Sequence, residues 1–342
     1  IEAGLPALEN LTAPYPYYTD FDLEHRRIIY VEASRGCPFR CHFCLSSLDR
    51  SVRSFELEGF LGEMQSLLDR GVRQFKFVDR TFNLKAETAE RILAFFLQRY
   101  SEGMFLHFEM IPDRLPSSLH PLIAAFPAGV LQFEVGIQSF NPEVCARIGR
   151  RQNFEAIDLN MNFLAQQTGV YVHADLIAGL PGETLESFAA GFDRLWALGP
   201  AEIQVGILKR LKGTPMTSAA AEWGMTYAAE APYEVLQTAH LTFAELQRLQ
   251  RFSRYWDLVA NSGRFRTQLG PLLEEQPFQR FMAFSDWLYA EVGATSGIAL
   301  SRMEGLLAKH LGQGGSTPTQ LAGPDSQPLP KRQRRRADPQ PA

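Results

Sequence analysis

Cysteine is scarce in this chain: four residues in 342, three of them within eight positions and the fourth far away. That is not the even, dispersed pattern of a secreted disulfide framework, so a reducing cytoplasm is the expected compartment. Long apolar runs are also missing. No uninterrupted stretch reaches the ~18 residues that a membrane span requires. The chain opens Ile1-Glu2-Ala3-Gly4-Leu5-Pro6, without the basic start and apolar stretch of a secretory signal.

Hydrophobic residues make up 45% of the chain and aromatic residues 11%, enough for a sizeable core. The length suits one large domain with appendages, since α/β barrels of roughly 200 to 250 residues fold as single units. The net charge of −4 is unevenly spread. From about Gly312 the sequence turns rich in Gly, Ser, Thr, Pro and Gln and ends in Lys331-Arg332-Gln333-Arg334-Arg335-Arg336, leaving about −7 on the residues before it. Such a composition cannot bury enough apolar surface to order itself, so 312–342 is expected to be a disordered tail. The basic cluster suits contact with nucleic acid or an acidic partner, or simply a solvated tail, and nucleic-acid binding is not expected. Residues 1–27, with Pro6, Pro14, Pro16, Tyr15, Tyr17 and Tyr18, read as an extended linker on a domain surface, cut from a longer protein.

Apolar runs at 28–33, 75–78, 105–110, 130–137, 170–177 and 203–208 alternate with helical spacing at 55–68, 86–100, 115–125, 154–167 and 185–198. Six such βα units over 28–215 predict an α/β fold with a parallel sheet and right-handed crossovers, either open or curled into part of a barrel. Ligands of such sheets sit at the carboxyl ends of the strands. There the chain gathers polar residues and glycines. The clustered cysteines follow the first strand, Asp79-Arg80-Thr81-Phe82-Asn83 the second, and Glu109 closes the third. Gly136-Ile137-Gln138-Ser139 ends the fourth, Asp175-Leu176-Ile177 the fifth, and Lys209 to Pro215 follow the sixth. The turn Gly179-Leu180-Pro181-Gly182 lacks the spacing of a phosphate loop and reads as a tight entry to a helix capped by Thr184.

The densest chemistry is Ser34-Arg35-Gly36-Cys37-Pro38-Phe39-Arg40-Cys41-His42-Phe43-Cys44, a CxxxCxxC array. Three thiolates are one short of the four ligands that normally hold an iron-sulfur cubane or structural zinc. An open metal position is where a substrate or cofactor can bind. Zinc completed by His42 or a distant residue is the alternative, although His42 adjoins Cys41 too closely to fold back readily onto the same ion. Gly36 and Pro38 relax and restrict the backbone where this loop turns. Cys145, in a helix opened by Asn141-Pro142, suits core packing better than a catalytic thiol.

This array after the first strand of a six-unit βα series, with Phe43 just before the last cysteine, resembles the radical S-adenosylmethionine (SAM) enzymes. Gly136-Ile137-Gln138-Ser139, Arg150 and the run from Asp175 to Gly182 resemble the branch containing oxygen-independent coproporphyrinogen oxidases. Ser34-Arg35-Gly36-Cys37-Pro38 and Leu208-Lys209-x-Leu211-x-Gly213-Thr214-Pro215 resemble the cobalamin-associated members. The resemblance covers 28–215 and extends less specifically beyond it. It implies a partial (β/α)6 TIM-like barrel with a 4Fe-4S cluster on Cys37, Cys41 and Cys44 and SAM at the fourth iron. It also implies reductive cleavage of SAM to a 5'-deoxyadenosyl radical, with the electron drawn from a donor such as flavodoxin or ferredoxin. Residue by residue, it assigns Phe43 to the adenine, Gln138 and Asp175 to the ribose hydroxyls, and Arg150 to a SAM carboxylate or neighbouring group. Glu109 is assigned to the SAM region, with Ser139 counted among the cofactor contacts and Lys209 as lining. No Gly-Gly-Glu motif follows the second strand, so Asp79, with Arg80 and Thr81 beside it, is the expected acceptor from the SAM ammonium. The plain alternatives are a capping or bracing Asp79, a packed Phe43 and a surface Glu109.

Past Gly213 the segments 232–259 and 276–292 carry Tyr255, Trp256, Phe278, Phe281, Phe284, Trp287 and Tyr289 at helical spacing, broken at Asn261-Ser262-Gly263-Arg264-Phe265. They read as a helical C-terminal domain, 216–311, forming a lid over the incomplete barrel, with simple padding of the barrel as the alternative. The resemblance implies a methyltransferase or oxidoreductase acting on an unknown substrate, including cobalamin-dependent methyl transfer or rearrangement. No DxHxxG motif occurs in the chain, so cobalamin would be bound by a domain upstream of Ile1. A coproporphyrinogen oxidase-like enzyme without cobalamin and a non-enzymatic iron-sulfur or haem-binding relative are the alternatives. Methylthiotransfer would need a second cluster, for which the isolated Cys145 supplies no ligand set.

Overall fold

Six short runs rich in Phe, Val, Ile and Leu pair in parallel and in sequence order as one sheet. They are β1 Ile29–Val31, β2 Gln74–Phe77, β3 Phe105–Met110, β4 Leu131–Gln138, β5 Tyr171–Ala178 and β6 Glu202–Ile207. The computed structural model describes residues 7–25 and 28–313, and the basic run at 331–336 lies outside them. Parallel neighbours require a crossover. The main crossover helices are α1 Leu57–Asp69, α2 Ala86–Gln98, α3 His120–Ala125, α4 Phe154–Gln167 and α5 Leu185–Ala197. β1 and β6 do not pair with each other, so the sheet is the open, partial (β/α)6 barrel that the alternation of runs predicts.

The two faces of this sheet differ sharply in chemistry. Phe75, Phe77, Phe108, Phe133, Val172, Ala174, Ile203 and Val205 are buried and form the core with the helices. The alternate residues point the other way, as strand geometry requires. Cross-strand register sets Lys76 beside His107, Glu109 beside Glu134, Glu134 beside His173, and Gly136 beside Asp175. All-parallel strands are usually apolar on both faces. A polar concave face here is the first structural sign of a site inside the barrel.

The exposed edge of β6 is covered by α6 Phe243–Val259, which solves the problem of unpaired strand groups. Ser253 Oγ donates to the Val205 carbonyl at 2.6 Å. Asn261 Nδ2 donates to the Ile203 carbonyl at 2.9 Å, and its Oδ1 accepts the Ile203 N–H at 3.2 Å. Helices α7 Arg266–Leu273, α8 Pro277–Val292 and α9 Leu300–Gln313 follow. Rings of Phe252, Trp256 and Phe278 from α6 and α8 pack with Phe192 of α5, with centroids 4.8 to 5.1 Å apart for Phe192–Phe252, Phe192–Trp256 and Phe252–Phe278. The C-terminal part is therefore helical as expected; its helices extend the wall at the β6 edge, while Val235 and Leu246 pack at Gly179 just past the end of β5. Residues 232–242 are not helical: Val235–Gln237 pairs with Thr226–Tyr227, and α6 begins only at the capping box of Thr242 and Glu245.

The expected extended linker also takes a different form. Its described part folds as short turns at Leu8–Asn10 and Tyr15–Tyr17 and a helix at Asp20–His25. The buried Tyr15 ring joins the core, and its hydroxyl accepts the Glu32 N–H at 2.9 Å. Among the described residues no helix is long and apolar enough to cross a membrane.

Candidate active site

The cysteine loop is closed by a small ladder in which Ser34–Arg35 runs antiparallel to Arg53–Ser54. Gly36 has φ +100, and a Cβ there would lie 2.2 Å from the Ser51 carbonyl oxygen, so the turn demands glycine. The Cys37 N–H donates to the Asp49 carbonyl at 3.0 Å, and the His42 N–H to the Ile148 carbonyl at 2.9 Å. The Met216 N–H donates to the His42 carbonyl at 3.0 Å. Gly149 permits this approach, since a Cβ there would lie 2.5 Å from the Arg40 carbonyl oxygen. A loop that looks free in sequence is thus held by its own second arm and by two distant segments.

All three of its cysteines border a single pocket of about 160 Å³ at the carboxyl mouth of the sheet. Phe43, Arg80, Thr81, Glu109, Glu134, Gly136, Gln138, Arg150 and Asp175 complete much of its wall. The residues singled out in sequence therefore largely come together. Asp79, Ser139 and Lys209 do not reach this wall. Asp79 is buried, and both of its oxygens are engaged: Oδ2 accepts the Ala33 N–H at 3.0 Å and Oδ1 the Ser34 hydroxyl at 2.6 Å. It braces the start of the cysteine loop. Burial pushes its carboxyl up to about 6 despite those hydrogen bonds. The Ser139 hydroxyl donates to buried Glu183 and accepts the Asn141 N–H at 3.0 Å, tying the turn after β4 to the turn after β5. Lys209 is exposed and bridges through its backbone to Glu234.

Gln138 owes its place to an irregularity that no sequence pattern announces. The β4–β5 register runs from Gly136 opposite Asp175 directly to Gln138 opposite Leu176, so Ile137 is an extra residue. The bulge leaves Gln138 at φ 72, a strained left-handed position for a residue with a side chain. Its Oε1 is shut off from solvent without a hydrogen-bond partner, and so is Asp175 Oδ1. Buried acceptors without donors are costly, and two of them in one pocket wall call for a ligand that donates. Gly136 makes room, because a Cβ there would lie 2.5 Å from Gln138 Nε2. Arg150 ties the wall to the loop: Nη1 lies 3.5 Å from Cys41 Sγ, Nη2 donates to the Gly136 carbonyl, and Nε donates to Gln152 Oε1 at 2.9 Å.

Charge in the pocket is held in tension. Burial pushes the Cys37 thiol up, with Cys41 and Cys44 adding and Arg150 opposing. Burial likewise raises Asp175 well above the carboxylate range, reinforced by Glu134 and Glu109. Glu109 is raised by burial although Arg80 Nη1 donates to its Oε1 at 2.8 Å.

Sequence reasoning missed Glu134 and Gln152 as wall residues. Glu134 carried a signal: it stands two residues before Gly136 on one strand and so shares its face. Gln152 carried none. It is brought in by tertiary folding and donates to the Ile137 carbonyl at 3.0 Å. Cys145 is buried away from the pocket, with its thiol donating to the Ser139 carbonyl at 3.3 Å.

Among the described residues no three His, Cys, Asp or Glu side chains form a group set to hold a metal ion. Three thiols spread around one pocket, opposite two buried acceptors, fit a larger inorganic cluster with a hydroxyl-bearing ligand beside it. Ligands of parallel α/β barrels bind at this open mouth. Residues 31–195 match the radical SAM superfamily, whose domains use a 4Fe-4S cluster and SAM. Residues 221–305 match a family described as "protein of unknown function (DUF4080)". The ribosomal protein uS12 methylthiotransferase RimO of Thermotoga petrophila is 27% identical over 186 residues, which cover 51% of this chain and 42% of that protein. An uncharacterized methyltransferase of Pyrococcus horikoshii is 29% identical over 168 residues, covering 47% of this chain and 35% of the relative. The chain thus spans less than half the length of either. The radical SAM methyltransferase TsrM of Kitasatospora setae, solved with cobalamin and a [4Fe-4S] cluster bound, shares the fold. Its TM-score is 0.54 at 20% identity, covering 78% of this chain and 63% of that one.

Proposed function

We propose that this chain cleaves SAM reductively, with Cys37, Cys41 and Cys44 holding a 4Fe-4S cluster and the Gln138–Asp175 wall taking SAM. The observation that carries this reading is the shared pocket, bordered by three cysteines and by two residues, Gln138 and Asp175, that each keep a buried acceptor without a donor. When bound, the cluster and SAM supply one electron and a carbon-centred radical able to take hydrogen from a substrate. The protein's own residues hold these groups in place. Gly36 and Gly149 allow the loop its tight path, Gln138 and Asp175 accept from the ribose hydroxyls, and Phe43 covers the adenine. Glu109, now paired with Arg80, can accept the SAM ammonium, and the Arg150 guanidinium offsets thiolate charge beside Cys41. The electron comes from a donor of the flavodoxin or ferredoxin kind.

The finer reading is methyl transfer, with cobalamin held outside this chain. It is supported by the methyltransferase names of the P. horikoshii relative and of TsrM and by the cobalamin in the TsrM structure. Methylthiotransfer, the activity named for the RimO relative, would need a second cluster's ligands from outside this chain, since the one remaining cysteine, Cys145, is packed against Ser139. Anaerobic reconstitution, chemical reduction and addition of SAM test the proposal. 5'-Deoxyadenosine should form with the parent chain and not with Cys41→Ala, and S-adenosylhomocysteine formed with added cobalamin supports the finer reading. A chain that assembles no reducible 4Fe-4S cluster overturns the proposal, and a cluster without any SAM turnover makes it a binding protein.

A further inference from the structure

Beneath the pocket, the concave face of the barrel carries a row of ionisable groups that SAM cleavage as described leaves unused. On β5, Tyr171, His173 and Asp175 occupy alternate positions and share the interior face. Glu202, at the start of β6, stands opposite His173 in register. The Tyr171 hydroxyl donates to Glu202 Oε1 at 2.7 Å, Glu202 Oε2 lies 3.5 Å from His173 Nδ1, and His173 Nε2 lies 3.4 Å from Asp175 Oδ1. Neither His173 Nε2 nor Asp175 Oδ1 has a hydrogen-bond partner, although both are shut off from solvent. They face one another across a bond not yet made, the loose geometry that catalytic groups often show before a ligand arrives.

We propose that His173 is the positioning residue of the Asp175 carboxylate. Clamped from behind by Glu202 and Tyr171, it shares one proton with Asp175 and keeps that side chain able to accept from the diol of a bound ligand. An imidazolium donates from both ring nitrogens and can serve Glu202 and Asp175 together, while a neutral ring serves only one of them. Other charged groups surround the pair. Glu134 faces His173 from β4, but its Oε2 is already 3.1 Å from His107 Nε2 and 3.8 Å from Lys76 Nζ. His107, on β3, is pushed down to about 3 by burial, with Lys76 and His173 adding, and so contributes no positive charge near neutrality. Burial beside Glu134 and Glu109 favours the protonated Asp175 carboxyl, Arg150 and Lys76 oppose it, and the His173 ring stands 3.4 Å from its Oδ1. A protonated Asp175 has lost part of its accepting capacity. The proton moves only between His173 Nε2 and Asp175 Oδ1, so no bond to carbon and no redox step is involved.

This inference rests on the assignment of Asp175 to SAM, and the test keeps the two apart. SAM binding to the reconstituted chain is measured by calorimetry between pH 6.5 and 9 for the parent, His173→Gln, Glu202→Gln and Asp175→Asn. His173→Gln should bind SAM on the order of tenfold more weakly at pH 7, with a deficit that shrinks as pH rises. Glu202→Gln should show a smaller loss of the same kind. Unchanged melting and iron content show that the fold is intact. Equal affinity and equal pH dependence in the parent and His173→Gln overturn the role of His173. If the parent and Asp175→Asn bind SAM equally, the assignment of Asp175 fails instead. Nitrogen NMR of labelled histidine then decides the proton sharing directly: the His173 signal must titrate differently in Asp175→Asn, and an identical titration overturns it.

Discussion

Asp79→Asn separates a brace from a ligand residue, and its outcome depends on pH in a way the structure sets. The buried Asp79 carboxyl has a folded value of about 6 against 3.8 in an unfolded chain, chiefly through burial. Below pH 3.8 it is protonated in both states and the shift contributes nothing. As pH rises from 3.8 toward 6 the unfolded chain ionises first, and above 6 the folded state carries the full penalty of ~3 kcal/mol. Asparagine removes that penalty but offers one acceptor where two are used, by Ala33 N–H and Ser34 Oγ. The lost bond costs about 1 to 3 kcal/mol at every pH. Relative to the parent, Asp79→Asn should therefore be destabilised at pH 4.5 and gain about 2 kcal/mol by pH 7.5. Urea unfolding of the cluster-free chain, followed by circular dichroism at both pH values, reads this directly. A parent-to-variant difference that stays constant over this range refutes the reasoning. A variant of unchanged stability with much weaker SAM binding would return Asp79 to the ligand set.

Gln138→Gly relieves the left-handed backbone, so it should leave stability unchanged or raise it by up to about 1 kcal/mol while weakening SAM binding roughly tenfold for the lost acceptor. Melting and calorimetry together check it, and a marked fall in melting temperature would deny the strain. Gly36→Ala places a methyl group against the Ser51 carbonyl. It should abolish iron loading while the circular dichroism of the barrel persists. Asn261→Ala strips both hydrogen bonds from Ile203 on the β6 edge and should cost about 2 to 4 kcal/mol. Its iron content should match the parent, since the pocket lies at the other end of the strands.

The radical SAM match and the observed sheet agree with what was legible in the chain. Strand and helix order could be read because apolar spacing is local: Phe105–Met110 and Phe154–Gln167 form at the limits their periodicity sets. The cysteine array could be read because its three thiols lie within one loop. Sequence also located the mouth of the sheet, since polar residues collect where strands end. It did not separate the residues there that face the pocket from those that hold the mouth together. Asp79 and Asp175 look alike at their strand ends, yet one spends both oxygens on the β1 loop and the other keeps one without a donor. Gln138 and Ser139 are neighbours, but a bulge turns the first into the pocket while Glu183, forty-four residues away, takes the second. The C-terminal aromatic stripes announced helices and not their place, which was decided by the unpaired edge of β6. Composition and periodicity determine which local structures form. Which side chain meets which is settled by contacts between residues distant in sequence, and here those contacts decide the site.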